Sequence, residues 1–419
     1  MSMNKLKDKK NFFYFALMIL PIIDVLTSIN ARFNTFHFSP GIIVRGIIFL
    51  ISVLYILFSK NINKEMRKKA IIYFVIFLIY FSIFMLVRLN DSIDKSHLIS
   101  EIKFFFKFWY FPITLIFLNN LDLDKEKLNK ALKVSTLLYA IGIFLPLVTN
   151  TYFESYSYSP YKGVVGWFYS ANELGSLLSM NLILLYLNLD KKNILIMLLN
   201  IFTLVIIGTK VSLFSVIIIT VSMFLIFHLT TKKKSNKTKK PKKVKYSLII
   251  LIISVFLILF SSTARDVLER LNVNKNNIIE TKLTGFGAVL DKLLSGRYTF
   301  LLDTLDQYKT ESIAVKTFGL GFTYNNHLTS IEMDTFDIML RYGILGFIIY
   351  FAPLIYYLYV YIKDNKKTKP IPFLICSIGI ILALLIATSC GHMVSAPTAS
   401  IYVALCVALM STKYTKEED

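Results

Sequence analysis

The stretch "TKKKSNKTKKPKKVKYSLIILIISVFLILFSS", residues 231–262, joins a lysine-crowded tract to a run that carries no charge from Tyr246 to Ser262. As a helix, such a run rises about 25 Å at 1.5 Å per residue, enough to cross most of a hydrocarbon layer about 30 Å thick. The lysines before it mark the side on which the run begins, because basic residues collect on the cytoplasmic face. The same alternation recurs along all 419 residues. Candidate spans fall at about 12–29, 41–59, 70–88, 103–119, 131–149, 171–189, 193–209, 211–229, 246–262, 335–362, 371–389 and 393–411.

The spacing therefore predicts an all-α, polytopic membrane protein with about twelve transmembrane helices. Composition agrees: 55% hydrophobic residues, 35 Phe, 24 Tyr, 17% charged residues and a mean hydropathy of +0.60 exclude a soluble globule. The net charge of +21 sits in the connections between apolar runs, where it orients the chain and meets anionic membrane lipid. No nucleic-acid partner is expected. Cys376, Cys390 and Cys406 lack CxxC spacing and suggest neither a disulfide framework nor a zinc site. The N-terminal "MSMNKLKDKKNFFYFALMIL" looks like a signal peptide but has no small-x-small cleavage site, so it is read as a retained first helix.

Orientation follows from alternate connections. "KNINKEMRKK", "DKEKLNKALK", "DKKN", "TKKKSNKTKKPKKVK", "KDNKKTK", the N-terminus and "STKYTKEED" all share one side if there are twelve spans. That arrangement is N-in and C-in. The opposite side receives "NARFNTFHFSP", "RLNDSIDKSHLISE", "TYFESYSYSPYKGVVGWFYS", "GTK", "SCGH" and one long loop, residues 263–334. Three regions result: a bundle over 1–262, the loop over 263–334, and a closing bundle with its tail over 335–419. Within the loop, "SGRYTFLLDTLDQYK" places Leu301, Leu302, Leu305 and Tyr308 at helical spacing, with Ser295 as the expected N-cap.

Ionisable side chains at a membrane edge are costly and call for a reason. Asp24 and Arg45 fall at similar depth and suit either an ion pair or, for Arg45, an anionic ligand. Lys103 and Lys107 share a helix face and can snorkel to headgroups. Lys210 stands in a tight turn on the side that normally avoids basic residues, where a lipid-linked phosphate would suit it. Arg297 opens the loop helix; a helix N-terminus plus arginine is a phosphate receptor. In "GFTYNNHLTSIEMDTFDIMLRYGILGF", residues 321–347, Asp337 and Arg341 can pair four residues apart. His327, Glu332 and Asp334 remain as candidate proton acceptors. "FGLGF" follows no strand and is no dinucleotide fingerprint. "LDLDKEK" reads as a helix start, not as a metal-binding DxD.

On these features the chain resembles the bacterial O-antigen polymerase and ligase superfamily, most closely its Wzy-type polysaccharide polymerases. The residues that carry the resemblance are "FYSANELGSLL", "IIGTKVSL", "LLSGRYTFL" and "FGLGFTYNNHLTSIEMDTFDIMLRYGILGF", in that order. The resemblance implies a GT-C-like membrane glycosyltransferase in the bacterial cytoplasmic membrane. Its substrates would be undecaprenyl-pyrophosphate-linked glycans and no nucleotide sugar; no cofactor is expected, and none of the residues requires a metal. It assigns pyrophosphate binding to Lys210, Arg297 and Arg45, and substrate binding to Asn172, Glu173 and Lys107. Catalysis falls to His327, Glu332 or Asp334. Lysine at 210 departs from the family's usual arginine and cannot grip phosphate in bidentate fashion. Implied partners are a flippase and a chain-length regulator. A flippase for the same lipid-linked unit, an O-antigen-type ligase and an inactive scaffold are the alternatives.

Overall fold

The structure is a computed structural model. It describes residues 3–36, 39–60, 62–90, 95–155, 163–234, 242–261, 265, 285–324, 327–328 and 330–415. Nine helices come first: α1 Met3–Phe33, α2 Pro40–Phe58, α3 Lys64–Asn90, α4 Lys95–Asn119, α5 Lys125–Thr149, α6 Ala171–Tyr186, α7 Lys191–Ile207, α8 Lys210–Lys234 and α9 Lys242–Phe260. Four short ones follow: α10 Phe286–Leu293, α11 Arg297–Thr310, α12 Ile313–Phe318 and α13 Asp334–Arg341. The chain then returns through α14 Gly343–Asn365, α15 Ile371–Ser389, α16 Pro397–Leu409 and the single turn α17 Thr412–Thr415. Two ribbons, β1 Phe153–Glu154 with β2 Val164–Gly166 and β3 Thr323–Tyr324 with β4 His327–Leu328, are the strands among the described residues.

The all-α, membrane-spanning architecture is thereby borne out. Eight of the described helices are long and apolar enough to cross a bilayer. The other four expected spans also coincide with helices: α4, α6, α7 and α16. Helices α6 and α16 sit at the centre of the bundle. All of Leu174–Tyr186 and all of Thr398–Leu409 are buried, so these helices need apolar residues on every side. α16 packs on α4, α6 and α15, with α1 lying against α5. Small polar side chains join them: Asn181 donates to Thr136 Oγ1 at 2.8 Å, and the Ser135 and Tyr402 hydroxyls lie 2.9 Å apart. Helix α2 instead turns Ile42, Ile43, Ile47, Leu50, Leu54 and Phe58 outward, as a lipid-facing helix must.

One expected span is corrected. Residues 335–362 are not continuous helix but break at Tyr342–Gly343, leaving α13 as a separate element. The reason is local. Gly343 takes φ of 69°, and a Cβ there would stand 2.4 Å from the Thr317 carbonyl. "FGLGF" makes the complementary approach: the Leu320 and Gly321 amides donate to the Leu340 and Arg341 carbonyls at 3.1 and 2.8 Å. A Cβ on Gly319 would stand 2.2 Å from the Arg341 carbonyl. These glycines serve backbone contact, which bulkier residues would prevent.

Arg341 is buried beneath this junction, with Asp337 4.0 Å away and Gly321 O and Thr304 Oγ1 accepting at 3.4 and 3.3 Å. Burial pushes the Asp337 carboxyl up to about 6, against the pull of the Ile331 amide and the Arg341 guanidinium. The folded chain thus holds this proton more tightly than the unfolded chain does. Its contribution is present at low pH and is lost as pH rises from about 4 to about 6, amounting to at most about 3 kcal/mol. Asp337→Asn should flatten the stability profile between pH 4 and 7; an unchanged slope in thermal melts would refute the assignment.

Candidate active site

Contacts gather the loop helices, the α15–α16 connection and the starts of α2, α6 and α8 at one end, here the loop end. At that end, "LDKLLSGR" forms two clamps. Lys210, the first residue of α8, donates to the Lys292 and Leu293 carbonyls and to Ser295 Oγ at 3.1, 3.3 and 3.1 Å. These carbonyls belong to the last turn of α10, where a cation is favoured. Asp291, buried, accepts from the Thr299 amide at 2.8 Å. Ser295 is therefore not the N-cap of α11. Gly296 occupies that position in a left-handed conformation, and the capping oxygen comes from Asp291. Lys210, expected to meet phosphate directly, donates into this turn and brings its charge to the segment that carries Arg297.

Arg297 is buried at the first turn of α11. Its Nη2 reaches Glu332 Oε2 at 2.9 Å, and Nη1 reaches the Leu294 carbonyl at 3.3 Å. The guanidinium side chain is 9% exposed and the Glu332 side chain 47%, so a buried cation is covered by an accessible carboxylate. Glu332 also has φ of 59°, an uncommon backbone state for a residue with a Cβ. The expected phosphate receptor and one of the expected bases are thus in contact. His327 lies in β4, but its side chain falls outside the described part of the chain.

Asp334 is placed differently from the expectation. Its two oxygens accept from the amides of His392, Met393, Val394 and Ser395 at 2.8, 2.8, 2.8 and 3.2 Å, and from Ser395 Oγ at 2.6 Å. Buried and saturated, it has no lone pair left for a substrate proton. Its work is to hold the α15–α16 connection, where Gly391 and His392 both take positive φ. A Cβ on Gly391 would meet the Glu332 carbonyl at 2.5 Å, so this connection lies directly against the Arg297–Glu332 pair.

A separate open cleft of about 180 Å³ lies at the starts of α2 and α6. Asp24, Arg45, Tyr169, Ser170, Glu173 and Thr398 contribute to its wall, over an apolar floor that includes Leu174 and Leu177. Arg45 pairs with Asp24 Oδ1, while the Tyr139 hydroxyl donates to Asp24 Oδ2 at 2.7 Å. The Thr398 hydroxyl donates to Glu173 Oε1, and Ser170 caps α6 by accepting from the Glu173 amide at 3.3 Å. Arg45, Lys107 and His392 all act on the Glu173 carboxylate electrostatically. Asn172 is half-buried beside Glu173, and Lys107 is exposed on the α4 face it shares with Lys103.

The expected residues thus divide into two neighbouring groups, Lys210–Arg297–Glu332 and Arg45–Lys107–Asn172–Glu173. Asp334 and the 391–395 connection stand between them. His392, Thr398 and Tyr139 were not singled out from sequence. His392 alone left a trace there, as a histidine following glycine between two apolar runs. "LDLDKEK" is a helix start, as read: Asp124 caps α5 by accepting from the Glu126 and Lys127 amides. Among the described residues, no group of three or more His, Cys, Asp or Glu side chains is arranged to hold a metal ion.

The model of a family described as O-antigen ligase like membrane protein matches residues 7–282 and 274–417, together nearly the whole chain. No curated protein matches the chain.

Proposed function

The chain belongs to the family of O-antigen ligase-like membrane proteins, which makes it a membrane enzyme of polysaccharide assembly, and we propose that it is a polymerase within that family. In this reading the loop end faces outward from the bacterial cytoplasmic membrane. The enzyme joins undecaprenyl-pyrophosphate-linked repeat units into a capsule- or O-antigen-type polymer. The observation that carries the reading is the Arg297–Glu332 pair, in which an accessible carboxylate covers a buried guanidinium.

A carboxylate on arginine marks where an oxyanion of similar shape can sit. When the donor's diphosphate takes that place, Arg297 is satisfied by the substrate and Glu332 is released beside the reacting centre. Lys210 adds positive potential through the turn it clamps, and so favours the charge that develops on the leaving diphosphate. The acceptor glycan lies along the cleft. There Tyr169 offers an exposed ring, and Glu173, Asn172 and Thr398 offer hydrogen bonds to hydroxyl groups. The acceptor hydroxyl oxygen attacks the donor's anomeric carbon, and the carbon–oxygen bond to the diphosphate breaks. The hydroxyl proton passes to Glu332, and undecaprenyl diphosphate departs. Arg45, committed to Asp24, shapes the cleft and offsets Glu173 instead of gripping phosphate.

Purified protein in vesicles, given one lipid-linked repeat unit as its only glycan, should make a ladder of longer lipid-linked oligomers and release undecaprenyl diphosphate. A ligase would leave single units until a different acceptor is supplied. A flippase would change only which leaflet holds the unit, and either result would overturn the proposal.

A further inference from the structure

Helix α10 presents its apolar side to the surroundings. Phe286, Val289 and Leu293 are 80%, 53% and 48% exposed, at spacings of three and four residues that put them on one face. Asp291, about half a turn round from that stripe, is the buried residue of the helix and is bonded to the Thr299 amide. An eight-residue helix with its carboxylate turned inward and three large apolar side chains turned outward is inverted for contact with water.

What covers this stripe follows from where the helix is fastened. The carbonyls at its end receive the ammonium of Lys210, the first residue of membrane-crossing α8. α8 and α9 pack on one another, and Leu257 and Ile258 of α9 lie against the cluster of Val205 and Leu213, so α9 ends near the level where α8 begins. Its final turns expose Phe256, Leu259 and Phe260, a lipid-facing surface that reaches this rim. The Lys210 ammonium holds the end of α10 at that same rim, where α8 begins. We propose that α10 is an interfacial helix. Its Phe286, Val289 and Leu293 lie at the boundary between acyl chains and headgroups at the loop end, anchoring the turn that carries Arg297 at headgroup depth.

Amphipathic helices bind membranes in this way through one apolar face. The consequence for the proposed reaction is positional. The phosphates of a membrane-anchored donor are found at the depth of the headgroups, and Arg297 is held there by a helix that reads the same boundary. The helix assignment itself rests on the membrane architecture and not on the reaction.

Phe286→Trp and, independently, Val289→Trp place a fluorophore on the stripe; the parent's Trp109 and Trp167 supply the baseline. In vesicles whose acyl chains carry bromine near the headgroup end, both added emissions should be blue-shifted and lose most of their intensity relative to unbrominated vesicles. Emission at the position of water-exposed tryptophan, unaffected by bromine, would overturn the assignment. So would emission shielded from both brominated lipid and an aqueous quencher, which would mean that protein covers the stripe. Quenching reads depth and not turnover, so a negative result leaves the transfer reaction standing, and an inactive enzyme leaves the helix assignment standing.

Discussion

Glutamine in place of Glu332 should lower the rate of glycan joining by about 10²–10⁴-fold, the usual contribution of a positioned proton acceptor. The donor should bind as well as before, or more tightly, because a neutral amide competes less strongly for Arg297 than the carboxylate that stands 2.9 Å from it. Arg297→Ala should fail differently. The anion receptor is gone, donor affinity falls, and cells carrying the variant accumulate single lipid-linked units although the protein reaches the membrane. Arg297→Lys should recover part of the binding, since lysine keeps the charge but loses the fork of donors. Parental rates in Glu332→Gln, together with a large loss in His327→Ala, would move proton transfer to the histidine. Parental polymer in Arg297→Ala would remove the phosphate assignment altogether.

Asp334→Ala should act on stability and not only on rate. The carboxylate satisfies four amides, three of them buried, and one hydroxyl. Alanine leaves those donors in the interior without a partner, at a cost of about 3–5 kcal/mol. Asparagine should rescue in part, because its amide nitrogen would face donors where a carboxylate oxygen faced them before. The local signature is hydrogen exchange: the amides of residues 392–395 should exchange about a hundredfold faster or more, at about 1.4 kcal/mol per tenfold change. Parental protection at those four amides would show that something other than Asp334 holds the connection.

The sequence is most legible where one physical effect dominates. Apolar runs of about twenty residues have a single stable fate in a bilayer, and lysine-rich connections bias which side they face. The run from Tyr246 to Ser262 therefore predicts its helix, found at Lys242–Phe260, without help from the rest of the chain. The break at Tyr342–Gly343 was less visible. The apolar pattern carries on into α14, and only contact with Gly319 and Thr317 requires the chain to turn there. A glycine at the junction permits the turn but does not demand it.

Residue type and charge placement, read from the sequence alone, identified Arg297, Glu332, Asp334 and Arg45 as groups that need a reason to be where they are, and the resemblance added Glu173. Which group meets which was decided by the tertiary structure. Asp334 and Glu332 are two residues apart and chemically alike. One is buried under four amides from residues 392–395, and the other faces a guanidinium brought from residue 297. A carboxylate's partner is set by the donors that distant segments place around it. Local sequence therefore determines that the charge exists and roughly at what depth, while packing of the loop against the bundle determines whether it becomes an anchor or a base.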